Sequence, residues 1–105
     1  MITVEGNLIV GIQEDGVWHT QFTMRQATIG DAISAIEKAG PTSSNLMLRI
    51  YKAAEQIEQI HGITEITGEL LLSLSDEDIT PILDAQDELE KKLKGLRQPS
   101  SPTST

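Results

Sequence analysis

The chain has 105 residues, with 8 Lys plus Arg against 16 Asp plus Glu and a formal charge of −8. That length makes one small domain, and that charge repels phosphate backbones and anionic lipid headgroups, so neither nucleic acid nor a membrane is an expected partner. The absence of cysteine excludes disulfides and thiolate chemistry, and 38% apolar residues leave little beyond one core from which to build a deep active-site cavity.

The stretch from Met1 to Asn7 lacks the basic and apolar regions of a secretory signal, and no apolar run approaches the ~20 residues of a membrane span. A cytoplasmic protein is the expectation. The first structured segment is a β-hairpin over about 7–24: Leu8, Val10 and Ile12 alternate with their neighbours, Glu14-Asp15-Gly16 gives turn chemistry, and alternation resumes through Trp18, Phe22 and Met24. A two-residue Asp15-Gly16 turn would scatter apolar side chains over both faces. A three-residue Glu14-Asp15-Gly16 loop instead sets Ile12 against Trp18, Val10 against Thr20 and Leu8 against Phe22, all on one buried face. Because an isolated hairpin is marginal in water, that face must be covered by elements later in the chain.

Those elements are helical. Thr28 with Asp31 three residues on makes a capping box, and Gly40-Pro41 stops the helix, giving 29–39 with Ile29, Ala32, Ile33 and Ile36 as its apolar stripe. A second helix over 44–61 carries Met47, Ile50, Tyr51, Ala54, Ile57 and His61 at three- and four-residue spacing and ends at Gly62. Residues 63 to 74 read as loop plus a short helix at 69–73. Ser75 and Asp78 open the last helix, 76–97, with Asp76, Glu77 and Asp78 as a solvated cap at the positive end of its dipole; alternatively Thr80 caps a helix beginning at Pro81, leaving Asp76 to Ile79 as a separate turn. Ile82, Gln86, Leu89, Leu93 and Leu96 form a coiled-coil-like seam with one polar interruption, flanked by the i,i+4 pairs Asp87–Lys91, Glu88–Lys92 and Glu90–Lys94. The composition of 98–105, only Gln, Pro, Ser and Thr, reads as a disordered tail. The expected fold is α+β: an N-terminal antiparallel hairpin packed on three to four α-helices, one domain over 1–97.

Chemistry is sparse. His19 reads as a strand residue on the polar face and His61 as a helix C-terminal residue, both structural. His61 and Glu65 are interrupted by Gly62, the acidic run at Asp76 lacks the pattern of a calcium loop, and the carboxylate pairs at helical spacing have polar neighbours. No phosphate loop, nucleophile elbow or Ser-His-Asp arrangement is present. The reading is non-enzymatic, without catalytic, cofactor or metal residues. The feature with a functional reading is the seam: Ile82, Leu89, Leu93 and Leu96 are the candidate partner-binding residues.

The order of segments, Val17-Trp18-His19-Thr20-Gln21-Phe22-Thr23-Met24-Arg25, then Ala27-Thr28-Ile29-Gly30-Asp31-Ala32, then Leu74-Ser75-Asp76-Glu77-Asp78-Ile79 and Asp84-Ala85-Gln86-Asp87-Glu88-Leu89-Glu90-Lys91-Lys92, resembles the small tail assembly chaperones of Mu-like and related tailed phages. The resemblance covers roughly residues 8 to 97. It implies a protein of the host bacterial cytoplasm that engages the tape measure protein and/or tail tube protein during assembly and is absent from the mature virion. The family has no catalytic residues to carry over. The competing expectation is a self-associating acidic helical adaptor with no phage role; an acidic DNA mimic fits less well, since Lys91, Lys92 and Lys94 offset the carboxylates.

Overall fold

A computed structural model describes residues 1–97; the tail expected at 98–105 lies outside the described residues. Strands β1 (Thr3–Glu14) and β2 (Val17–Arg25) form the hairpin, followed by α1 (Ile29–Ala39), α2 (Asn45–Gln56), β3 (Ile57–Ile60), α3 (Gly68–Leu72), a 3-10 turn at Asp76–Asp78, and α4 (Ile79–Arg97). The sheet is antiparallel in the order β1-β2-β3. Phe22, Met24, Ile57 and Ile60 from the sheet meet Ile50, Ala53 and Ala54 of α2, Leu71 of α3, and Ile82, Ala85 and Leu89 of α4 in one core. The fold is therefore α+β, with the hairpin packed on helices.

The hairpin register differs from the expected one. Glu14 pairs with Val17 and Gln13 with Trp18 across a two-residue turn in which Asp15 and Gly16 both have positive φ, 54° and 77°, the geometry that matches the right-handed twist of the strands. The scattering of apolar side chains that such a turn would cause is corrected further along by a large bulge. The register shifts between Asn7↔Gln21 and Ile12↔His19, so that Leu8 to Gly11 stand opposite Thr20 alone. The extra residues restore Val4 and Leu8 to the core, each 4% exposed, without lengthening the turn. Gly11 sits in the bulge at φ +91°, and a Cβ there would strike the His19 carbonyl oxygen; glycine is the residue that fits.

The bulge is held from a distance. Its successive N–H groups all point at one carboxylate: Ile9 and Val10 donate to Asp78 Oδ1 at 2.6 and 2.7 Å, and Gly11 donates to Asp78 Oδ2 at 2.9 Å. Consecutive backbone amides turned inward form an anion-binding nest, and here the anion belongs to the chain itself. Asp78 is fully buried, which corrects its reading as a solvated cap: three charge-assisted hydrogen bonds offset the loss of water. Asp76 and Glu77 remain exposed, with Ser75 Oγ accepting from the Glu77 amide.

A second correction concerns the helix expected over 44–61, which ends at Gln56. Ile57 to Ile60 instead pair with the free edge of β2, Phe22 opposite Ile60 and Met24 opposite Ile57. Helical spacing of apolar residues continues through Ile57, but an open strand edge offers the backbone a full set of partners, and β-branched Ile57 and Ile60 suit it. His61 then turns at φ 46°, and its ring stacks on that of His19 with centroids 5.0 Å apart.

Candidate docking surface

Helix α1 is fastened to the domain by polar contacts. Arg25, at the end of β2, forks onto Asp31 with bonds of 2.6 and 3.0 Å, and it also donates to the Glu55 and Gln26 carbonyls. Asp31 serves a second purpose: its Oδ2 accepts from the Thr28 amide while Thr28 Oγ1 accepts from the Asp31 amide, a complete capping box. The Arg25 hydrogen bond holds the Asp31 carboxyl below the usual carboxylate range, against the opposing effect of burial. One turn on, Ser34 Oγ and Lys38 Nζ both donate to Glu55 Oε2 at 2.9 Å, and the Lys38 bond leads in lowering the Glu55 carboxyl.

Those anchors decide which way the helix faces. Asp31, Ser34 and Lys38 share the side turned to α2, and Ala35, buried, lets the two helices come close. On a 3.6-residue turn Ile29, Ile33 and Ile36 lie within about 60° of one another and opposite the anchors. They are consequently outside, at 81%, 53% and 58% exposed. The apolar stripe is turned to solvent, and the side facing α2 carries Asp31, Ser34, Ala35 and Lys38 with their contacts to Arg25 and Glu55. Beside the stripe runs a groove of about 340 Å³ lined by Ala32, Ala35, Ile36 and Leu48, with Arg49 and Lys52 on its rim. Grouped apolar side chains of this kind make α1 the candidate contact surface.

The residues expected to bind a partner are divided between core and surface. Ile82 and Leu89 are each 2% exposed within the core and have no surface to offer. Leu93 is half-buried in a groove between α2 and α4, and Leu96 is exposed. Gln86, the polar interruption of the seam, is buried too: its amide donates to Gln56 Oε1 and to the Arg49 carbonyl, while Gln56 donates to the Arg25 carbonyl. The polar seam residue thus ties α4 to α2 and to the end of β2. Asp87 pairs with Arg49 at 3.1 Å rather than with Lys91, whereas Glu88–Lys92 and Glu90–Lys94 stand at 3.6 and 4.0 Å.

A smaller apolar group lies at the hairpin. Trp18, expected in the core, is 54% exposed; it lines a surface depression with Leu70 and Leu74. Among the described residues, no group of three or more His, Asp or Glu side chains is placed to hold a metal ion, and no helix is long and apolar enough to cross a membrane.

The orientation of α1 is not legible in the sequence, for a physical reason. Amphipathic periodicity shows that a helix has two unlike faces, and it leaves open which of them the domain covers. Arg25 lies six residues before Asp31, whereas Glu55 lies 17 residues beyond Lys38 on the next helix, and neither contact shows in the spacing of the apolar residues. Comparison with protein-family models, with curated proteins and with solved structures finds no match to the chain.

Proposed function

We propose that this chain is a non-catalytic tail assembly chaperone of a tailed phage, binding the tape measure protein and/or the tail tube protein in the host bacterial cytoplasm and leaving before the virion is complete. The nature of the client comes from the resemblance of residues 8 to 97 to that family. The observation that carries the binding half of the reading is the solvent-facing stripe Ile29, Ile33 and Ile36. Full burial of an aliphatic side chain gains about 1.5–3 kcal/mol over exposure, and association costs several kcal/mol. Three isoleucines and the neighbouring groove therefore support a moderate, reversible grip, which suits a protein that must later let go. The charge of −8 keeps a complex with an apolar client dispersed.

Co-expression with a tape measure or tail tube protein tests this. The expected result is a rise in the soluble fraction of the client, lost in the double variant Ile33→Asp, Ile36→Asp, which keeps its helical circular dichroism because both positions are exposed. A folded variant that still solubilises the client would place the contact elsewhere, and a wild-type chain that solubilises neither client would remove the chaperone reading.

A further inference from the structure

We infer that the surface depression at Trp18 is a second binding site, one that takes a cationic and apolar segment of another protein, with an arginine of that segment against the indole. The depression has a volume of about 300 Å³. Val10, Ile12 and Trp18 of the hairpin line one side of it, and Leu70 of α3 with Leu74 just beyond that helix lines the other. Trp18 is 54% exposed, so about half of a large aromatic side chain is open to contact. Indole is the side chain that holds a cation best, and tryptophan and arginine are both enriched where proteins meet. The other two aromatics, Phe22 and Tyr51, are buried, so Trp18 has no aromatic companions with which to cage a small ammonium ligand. Aliphatic side chains make the rest of the wall, and they are matched by the apolar residues of a peptide.

Charge fixes the sign of the partner. Residues 1–24 and 53–90, which between them supply every lining residue, contain no Lys or Arg; the 8 cations of the chain all lie within 25–52 and 91–97. The lining runs directly into carboxylates, Gln13 into Glu14 and Asp15 at the hairpin turn, and Ser75 into Asp76 and Glu77 on the 3-10 turn. All four are exposed, and none takes part in an ion pair among the described residues. Lys91, the first cation of α4, stands about 18 Å along that helix from Ile79, beyond the screening length of ~10 Å at 0.1 M salt. The rim of the depression is thus uncompensated negative charge. An apolar lining with one indole and a carboxylate rim is the counterpart of a segment that carries both arginine and leucine: guanidinium groups meet the rim and the ring, and leucine side chains fill the space between. The depression shares no residue with the stripe on α1, so binding here stands or falls separately from client binding there.

Trp18 is the one tryptophan of the chain, so its fluorescence reports from the site itself. The probe is a capped hexapeptide of alternating arginine and leucine, titrated into the full chain beside two control peptides, one with glutamate for arginine and one with serine for leucine. The emission is expected to change and to saturate below about 1 mM of the arginine-leucine peptide, and the affinity to fall several-fold when salt is raised from roughly 0.1 to 0.5 M. The glutamate peptide should leave the emission unchanged, and the serine peptide should bind at least about threefold more weakly. Measured by calorimetry, Trp18→Leu should weaken binding about two- to fivefold and Glu77→Lys about three- to tenfold. Both positions are exposed, so circular dichroism should be unchanged, and Glu77→Lys carries the test alone should Trp18→Leu lose signal. Four results would each overturn the inference. They are an emission that never saturates, a serine peptide that binds as tightly as the leucine one, affinities unaltered in folded variants, and an emission that shifts with the concentration of the chain alone, which would put a second copy in the depression.

Discussion

Replacing Asp78 should damage this fold more than any change at its two exposed acidic neighbours. Its carboxylate is the acceptor for the amides of Ile9, Val10 and Gly11, and the side chain is inaccessible to water. Asp78→Ala strands those three donors. Each unsatisfied buried donor costs about 1–3 kcal/mol, part of which is regained because the charge no longer needs to be desolvated and the bulge can relax, so the net loss is about 3–5 kcal/mol, in line with breaking a buried charge network from one side. Asp78→Asn keeps an oxygen for Ile9 and Val10 but turns an NH₂ toward the Gly11 amide, and one lost acceptor costs about 2 kcal/mol. Urea denaturation followed by circular dichroism gives both numbers as shifts in midpoint at constant slope. Glu77→Ala, the exposed control, should stay within about 0.5 kcal/mol of wild type. Losses below about 1 kcal/mol for both Asp78 variants would refute the reasoning, since they would mean that the bulge holds its shape without the carboxylate.

The pH dependence has a defined sign. The Asp31 and Glu55 carboxyls are both held below their ordinary values, so the unfolded chain binds more protons in the acidic range; their contribution is complete above the ordinary carboxylate range and is lost as pH falls through and below it. Urea midpoints at about pH 7 and pH 3 should show this loss, and Arg25→Met, which removes the largest cause at Asp31, should lessen it; an unchanged pH dependence in that variant would contradict the assignment. Two apolar truncations should separate core from surface in the same assay: Leu89→Ala is expected to cost about 2–5 kcal/mol, and Trp18→Ala about 1 kcal/mol or less.

The features legible in the sequence are those that local chemistry decides. The Thr28–Asp31 box and the Gly40-Pro41 stop delimit Ile29–Ala39, and the capping serine of α2 is Ser44, whose Oγ accepts from the Met47 amide. Alternation in Leu8 to Ile12 and Val17 to Met24 marks the hairpin. The rest depends on partners far along the chain. The bulge is invisible without Asp78, which lies 67 to 69 residues from the amides it holds, and the two-residue turn is acceptable only once the bulge is there to correct its register. Ile57 to Ile60 keep helical spacing yet form a strand, because β2 presents an unpaired edge to them. Gln86 looks like a defect in a leucine seam until Gln56 and the Arg49 carbonyl are placed beside it. The candidate surface on α1 is readable as a stripe and unreadable as to side, since periodicity does not say that the opposite face carries the contacts of Asp31 with Arg25 and of Lys38 with Glu55.

The most direct test of the central claim puts a photo-crosslinking amino acid in place of Ile33 on α1 and, separately, in place of Leu96 on α4 and Glu65, all three exposed, and irradiates the chain together with a tape measure or tail tube protein. The account predicts that the client is captured from position 33 and not from 65 or 96. Capture from position 96 or 65 with none from 33 would contradict it.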